Sequence, residues 1–124
     1  VQTCALPIYD LTVELCTIFN QLKRPRKALE LLRNRHFQPW EGGEGKVLQQ
    51  FVAANLEIGR VMLRENNFEL AKSYFLSCLS PPSNLSETHH LLANKADIFF
   101  WLGVAEDKLN FSSEALLFIT SSSD

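Results

Sequence analysis

From position 10 onward the apolar residues fall at the three- and four-residue spacing of a helix face. Leu11, Leu15, Ile18, Phe19 and Leu22 mark a first helix over 10–22, without the alternation of a strand, and Asp10 is placed to cap its start. Lys23-Arg24-Pro25 ends it, because proline disfavours helix in the residue before it and suits the first turn of the next helix. A second helix carries Ala28, Leu29, Leu31 and Leu32 to about Arg35. The run HFQPWEGGEG, 36–45, holds Pro39 and three glycines and cannot continue a helix. A third helix over 46–65 has Val47, Leu48, Phe51, Val52, Leu56, Ile58, Val61, Met62 and Leu63 on its buried side. At 1.5 Å per residue it is about 30 Å long. After a turn at Asn66-Asn67, a fourth helix covers 68–79 and stops at Pro81-Pro82. Asn84, with Glu87 three residues on, has the form of a capping box for a fifth helix reaching about Leu109. A sixth spans 112–119, where Leu116, Leu117, Phe118 and Ile119 call for a partner.

These helices pair, and the pairs repeat. Cys16 and Ala28, Gly59 and Ala71, and Gly103 and Ala115 are each twelve residues apart. A bulky residue precedes each first member (Leu15, Ile58, Leu102), and another follows each alanine by four (Leu32, Phe75, Ile119). Small residues on facing sides of two antiparallel helices let the backbones approach, while large ones fill the groove to the next pair. The period is 43 residues from Cys16 to Gly59 and 44 from Gly59 to Gly103, and self-similarity at a fixed period marks a solenoid.

The pattern resembles the tetratricopeptide repeat, with Gly59, Ala71 and Phe75 in the places of its small residue, its second small residue and its aromatic. The first pair departs from it with Cys16 for Gly and Leu32 for Phe, and the third with Ile119 in the aromatic place. The period exceeds the roughly 34 residues of the standard repeat, the surplus lying around WEGGEG and in SPPSNLSETHHL. The resemblance implies an all-α, tetratricopeptide-like α-solenoid of three antiparallel helix pairs, at about 9–35, 46–79 and 86–120, with long inter-repeat insertions. Stacked pairs of this kind present an extended concave surface to a partner.

A narrower resemblance covers about His36 to Leu109. RHFQPWEGGEGKVLQQ, PPSNL and ADIFFWLG are similar to the C-terminal tetratricopeptide region of large bacterial multidomain proteins. The N-terminal part of those proteins is β-rich, of unknown function and reminiscent of carbohydrate-active proteins. By their own chemistry, Trp40, Glu41 and Glu44 are the candidate contacts to a ligand or a neighbouring domain. A tryptophan face can stack on a sugar or an aromatic side chain, and two carboxylates beside a glycine loop have the chemistry for glycoside acid/base work. The plainer reading is that the glycines shape a turn, Trp40 fills the groove between repeats, and the carboxylates favour the positive end of the next helix.

The first eight residues, VQTCALPI, resemble a translated sequencing-adapter oligonucleotide, GTG CAG ACG TGT GCT CTT CCG ATC, and are set apart from fold reasoning. On that reading the natural chain begins near Tyr9, the sequence is a fragment, and 9–124 is one helical-repeat domain. The remaining length suffices for one modest core. A net charge of -2 gives no general attraction to nucleic acid or membrane. No run of eighteen apolar residues provides a membrane span.

Beyond Cys4 the chain has only Cys16 and Cys78, each on an apolar face and read as buried. That is too few for a disulfide framework and points to a reducing, cytoplasmic setting. Lys23, Arg24, Arg26, Lys27, Arg33 and Arg35 read as a solvated face, since no aromatics interleave with them. His89 and His90 project about 100° apart on a helix and cannot share a metal, with His36 distant in sequence. The sequons at Asn84 and Asn110 read as capping and turn residues.

The expected role is an interaction scaffold for a peptide segment or the upstream domain of its own protein, with no metal, cofactor, nucleic acid or catalysis of its own. The alternative is an accessory part of a carbohydrate-active enzyme, with WEGGEG completing a glycan site.

Overall fold

Lys23 and Asn66 have the same unusual backbone, with φ of 61° and 62°, in the left-handed region that side chains with a Cβ seldom enter. Each follows a helix. In the computed structural model, which describes residues 5–37, 45–85 and 95–122, α1 spans Ala5–Gln21 and α3 spans Lys46–Arg64. After α1 the Arg24 N–H donates to the Phe19 carbonyl at 2.7 Å and the Lys23 N–H to that of Asn20 at 3.1 Å. After α3 the Asn67 N–H donates to Met62 at 2.8 Å and the Asn66 N–H to Leu63 at 3.0 Å. This nested pair is a Schellman turn, which satisfies helix-end carbonyls that would otherwise be orphaned. Two residues later the return helices begin, α2 at Pro25–Arg33 and α4 at Phe68–Ser77. Every equivalent atom in the two turns is 43 residues apart, so the repeat written in the side chains recurs in the backbone hydrogen bonds.

The described residues are all-helical, with one single-turn 3₁₀ segment at Ser83–Leu85 and a last helix, α5, at Lys95–Ser122. Each helix packs on the next, and α3 also touches both α1 and α5. Two apolar clusters result. One gathers Cys16, Ala28, Leu32, Phe37, Val47, Ala54 and Leu85 around the first hairpin. The other gathers Leu56, Ile58, Met62, Ala71, Phe75, Cys78, Ile98 and Ala105 around the second hairpin and α5. An amide tie helps join the first hairpin to the second: Asn20 Nδ2 donates to the Gln50 backbone carbonyl at 3.1 Å and to its Oε1 at 2.9 Å.

The structure corrects three expectations. Asp10 lies inside α1 and does not cap it, because the helix already starts at Ala5, with Pro7 in its first turn, where a missing N–H costs nothing. Leu11, Leu15, Ile18 and Leu22 are exposed, while Cys16 faces the core between them. α1 has neighbours on one side only, α2 and α3, so just one of its two apolar faces is covered by described residues.

The helix that Asn84 is expected to cap would begin among residues outside those described, but the Asn84 amide has a second task. Its Nδ2 donates to the Leu32 and Arg35 carbonyls, both at 2.8 Å, while its own carbonyl accepts from the Phe37 N–H at 2.7 Å. The chain after α4 therefore turns back to close the end of α2, and Leu85 enters the first cluster. Both Nδ2 hydrogens are used there, so a glycan on this nitrogen would displace at least one of the bonds.

The third correction is the largest. α5 is one 28-residue helix, about 42 Å long, with no break between 109 and 112. Gly103 and Ala115 sit on the same helix and are not facing partners of a hairpin. The position matching Pro25 is Ser112 here, and Asn110 is as compatible with a helix as with a left-handed turn. Nothing in the local sequence obliges the chain to reverse. The expected start of this helix near 86 lies outside the described residues.

Candidate interaction groove

The groove is built outward from Gly59. A methyl group placed there would lie 2.7 Å from both Cδ1 and Cζ of Phe75 and closer still to Cε1, so only glycine lets this ring reach the α3 backbone. Phe75, fully buried, lies beside Trp101 of α5, with ring centroids 6.3 Å apart and planes 29° apart. Trp101 takes Phe100 edge-on at 5.2 Å and the Arg60 guanidinium 5.5 Å from its ring centre. Arg60 Nη2 in turn donates to Glu57 Oε2 at 2.6 Å.

Glu57 is the hub of the charges. Besides Arg60, Lys23 Nζ lies 3.8 Å from Oε2 and Arg64 Nη2 3.9 Å from Oε1. The hydrogen bond from Arg60 outweighs the desolvation of the carboxylate. With the charges of Arg60, Lys23 and Arg64 it holds Glu57 below the ordinary glutamate value, hence ionised at neutral pH. Lys23, Pro25, Glu57, Arg60, Val61, Arg64 and Trp101 border an open concavity of about 720 Å³. Across the Lys23 turn a second hollow of about 340 Å³ has Ile58 and Val61 with Lys23, Arg24, Arg26 and Lys27 around them. The basic run of the first hairpin thus gains aromatic neighbours that its own sequence lacks. Trp101 borders the first hollow, and Arg26 Nη1 donates to the Tyr74 hydroxyl at 3.2 Å with its guanidinium 5.8 Å from that ring's centre.

Another concavity, about 340 Å³, lies among α2, α3, α4 and the 3₁₀ turn, bordered by Leu29, Phe51, Asn55, Tyr74, Asn84 and Leu85. The Asn55 side chain is spent within α3, donating to the Phe51 carbonyl at 3.0 Å.

No protein-family model matches this chain, and no solved structure matches it.

Of the residues singled out in the sequence, Trp40, Glu41 and Glu44 lie outside the described residues. Cys16 and Ala28 meet, the thiol donating to the Ala28 carbonyl at 3.6 Å. Cys78 reaches the Tyr74 and Val52 carbonyls at 3.6 and 3.8 Å. Burial pushes the two thiols up, Cys16 to about 11 and Cys78 to about 12, so neither supplies a thiolate nucleophile at neutral pH. Ala71 and Phe75 are fully buried against α3 and α5. Gly103 is exposed, with nothing within 4 Å of a methyl group built there. Ala115 belongs to the α5 backbone. Among the described residues no three His, Cys, Asp or Glu side chains converge as a metal site requires, and no helix is long and apolar enough to cross a membrane.

Sequence reasoning missed Glu57, Arg60, Arg64 and Trp101. The first three had a signal, since positions three and seven along a helix share a face. Trp101 had none, because its place over Arg60 depends on how α5 docks.

Proposed function

We propose that this chain is an interaction scaffold built of tetratricopeptide-like helix pairs, of the kind found in larger bacterial multidomain proteins. Its groove receives a peptide segment or a neighbouring domain of the same protein. The observation that carries this reading is the identical Schellman-turned hairpin at a 43-residue interval, with α3 in contact with both α1 and α5. Units that repeat and stack along one direction leave a continuous face whose width grows with each unit, which suits them to binding extended partners. The concavities at the Lys23 turn lie where the first hairpin, the second hairpin and α5 meet.

Photo-crosslinking tests this. A crosslinking side chain introduced at Lys27 or Val61 is expected to capture a discrete peptide or domain. Capture of nothing from either position overturns the proposal.

A further inference from the structure

The geometry points to an acidic peptide segment as the occupant of the groove around Glu57, held by Lys23 and Arg64 at its rim and seated on Val61. This deepens the scaffold reading above and rests on it.

Charge balance is the first argument. Three cations, Lys23, Arg60 and Arg64, share one carboxylate. Only Arg60 is at hydrogen-bonding distance from it. Lys23 and Arg64 stand 3.8 and 3.9 Å away with side chains 72% and 66% exposed, beyond the 2.7–3.2 Å of an N–H···O bond. Their donors are unsaturated and face solvent, whereas Glu57, 14% exposed, orders them from below. Cations with unused donors beside an open hollow recruit carboxylates, and here three cations meet one carboxylate in a chain whose overall charge is -2.

The second argument separates a peptide from a nucleic acid, the other common polyanion. Single strands are held by bases stacking on free aromatic faces along a basic track. Trp101 already has Phe75, Phe100 and Arg60 about its ring, so a base would have to displace one of them. Glu57, lying between the two rim cations, also interrupts the basic track that a continuous line of phosphates would follow. A peptide can place discrete carboxylates at the two rim cations and an apolar side chain on Val61, which borders both hollows.

The test uses fluorescein-labelled peptides of equal length titrated with the full chain: glutamates flanking one leucine, the same with glutamine, and the same with lysine. A single-stranded oligonucleotide of equal charge is the fourth probe. The glutamate peptide is expected to bind, more weakly as salt rises. Its affinity is expected to fall about tenfold or more in the double variant Lys23→Glu, Arg64→Glu, and less in Lys23→Gln, Arg64→Gln, with unchanged far-ultraviolet circular dichroism. If the charge reversal lowers helicity, the glutamine pair decides alone. Undiminished binding by the folded variants overturns the proposal, as does an oligonucleotide that binds more tightly than the peptide. If the glutamine or lysine peptide binds as well as the glutamate one, the acidic assignment fails and the scaffold reading stands. If no peptide binds and crosslinking finds no partner, both fail.

Discussion

The second hairpin and the start of the third unit carry the same signature, a glycine twelve residues before an alanine, yet the two glycines live in opposite surroundings. Gly59 lies under the Phe75 ring, inside a cluster that also holds Met62, Ala71 and Cys78. Gly103 is exposed and meets nothing, because α5 continues where α3 turned. A small residue is therefore not itself a contact. It permits close approach, and whether an approach occurs is decided by the turn that follows. In the second hairpin the chain reverses at Asn66 and returns Phe75 to the vacancy that Gly59 leaves. In the third unit the helix runs on through Asn110, and Phe111 and Leu117 are exposed along it.

Four experiments break or sharpen this contrast. The largest effect is expected from Phe75→Ala. It removes a fully buried ring that joins α3, α4 and Trp101, at a cost of about 3–5 kcal/mol, read as a lowered midpoint in urea unfolding.

Ser112→Pro comes next. It gives the third unit the proline that starts α2, and in a continuous α5 it costs about 3 kcal/mol of local helix stability. Far-ultraviolet circular dichroism and amide exchange are expected to show helix lost beyond Asn110. Full retention of helix would mean that the third unit folds back as the first two do.

Gly59→Ala and Gly103→Ala form the sharpest pair, since they carry opposite signs. At 59 the new methyl overlaps Phe75 and overpacking costs about 1–3 kcal/mol, partly offset by better helix propensity. At 103 there is room, and the exchange is expected to stabilise α5 by up to about 1 kcal/mol. Melting of the two variants side by side checks the signs.

The smallest effect concerns Glu57, whose pKa is lowered in the folded chain. Its stabilising contribution is present above the unfolded-state glutamate pKa and is lost as pH falls through the depressed folded value. Wild type is therefore expected to exceed Glu57→Gln in stability at neutral pH and to converge with it in acid. A gap that persists in acid would place the role of Glu57 in packing rather than charge.

Trp101 illustrates why the groove was harder to read than the helices. Helix spans follow from local periodicity and from Pro25, Asn66 and Pro81, all of which act over a few residues. The groove needs Lys23 from one hairpin, Glu57 and Arg60 from the next and Trp101 from α5, up to 78 positions apart in the chain. The six cations near the first turn were read as a solvated face because their aromatic neighbours, Tyr74 and Trp101, come from other helices. The tie made by Asn84 was out of local reach for a related reason: its two amide hydrogens serve α2-end carbonyls 52 and 49 positions earlier in the chain.

The sequence by itself determined the first four helices, the hairpin turns at Lys23 and Asn66, and the pairing of Cys16 with Ala28 and of Gly59 with the second helix of its pair. All of these rest on steric preferences and spacing within about a dozen residues. Only the tertiary structure decided which apolar face of α1 is covered, where Asn84 spends its hydrogen bonds, and that Gly103 stays open. It alone decided how three cations come to surround Glu57. Each of these depends on which helix surface lies opposite, and that is fixed by the packing of distant elements rather than by any residue's neighbours in the chain.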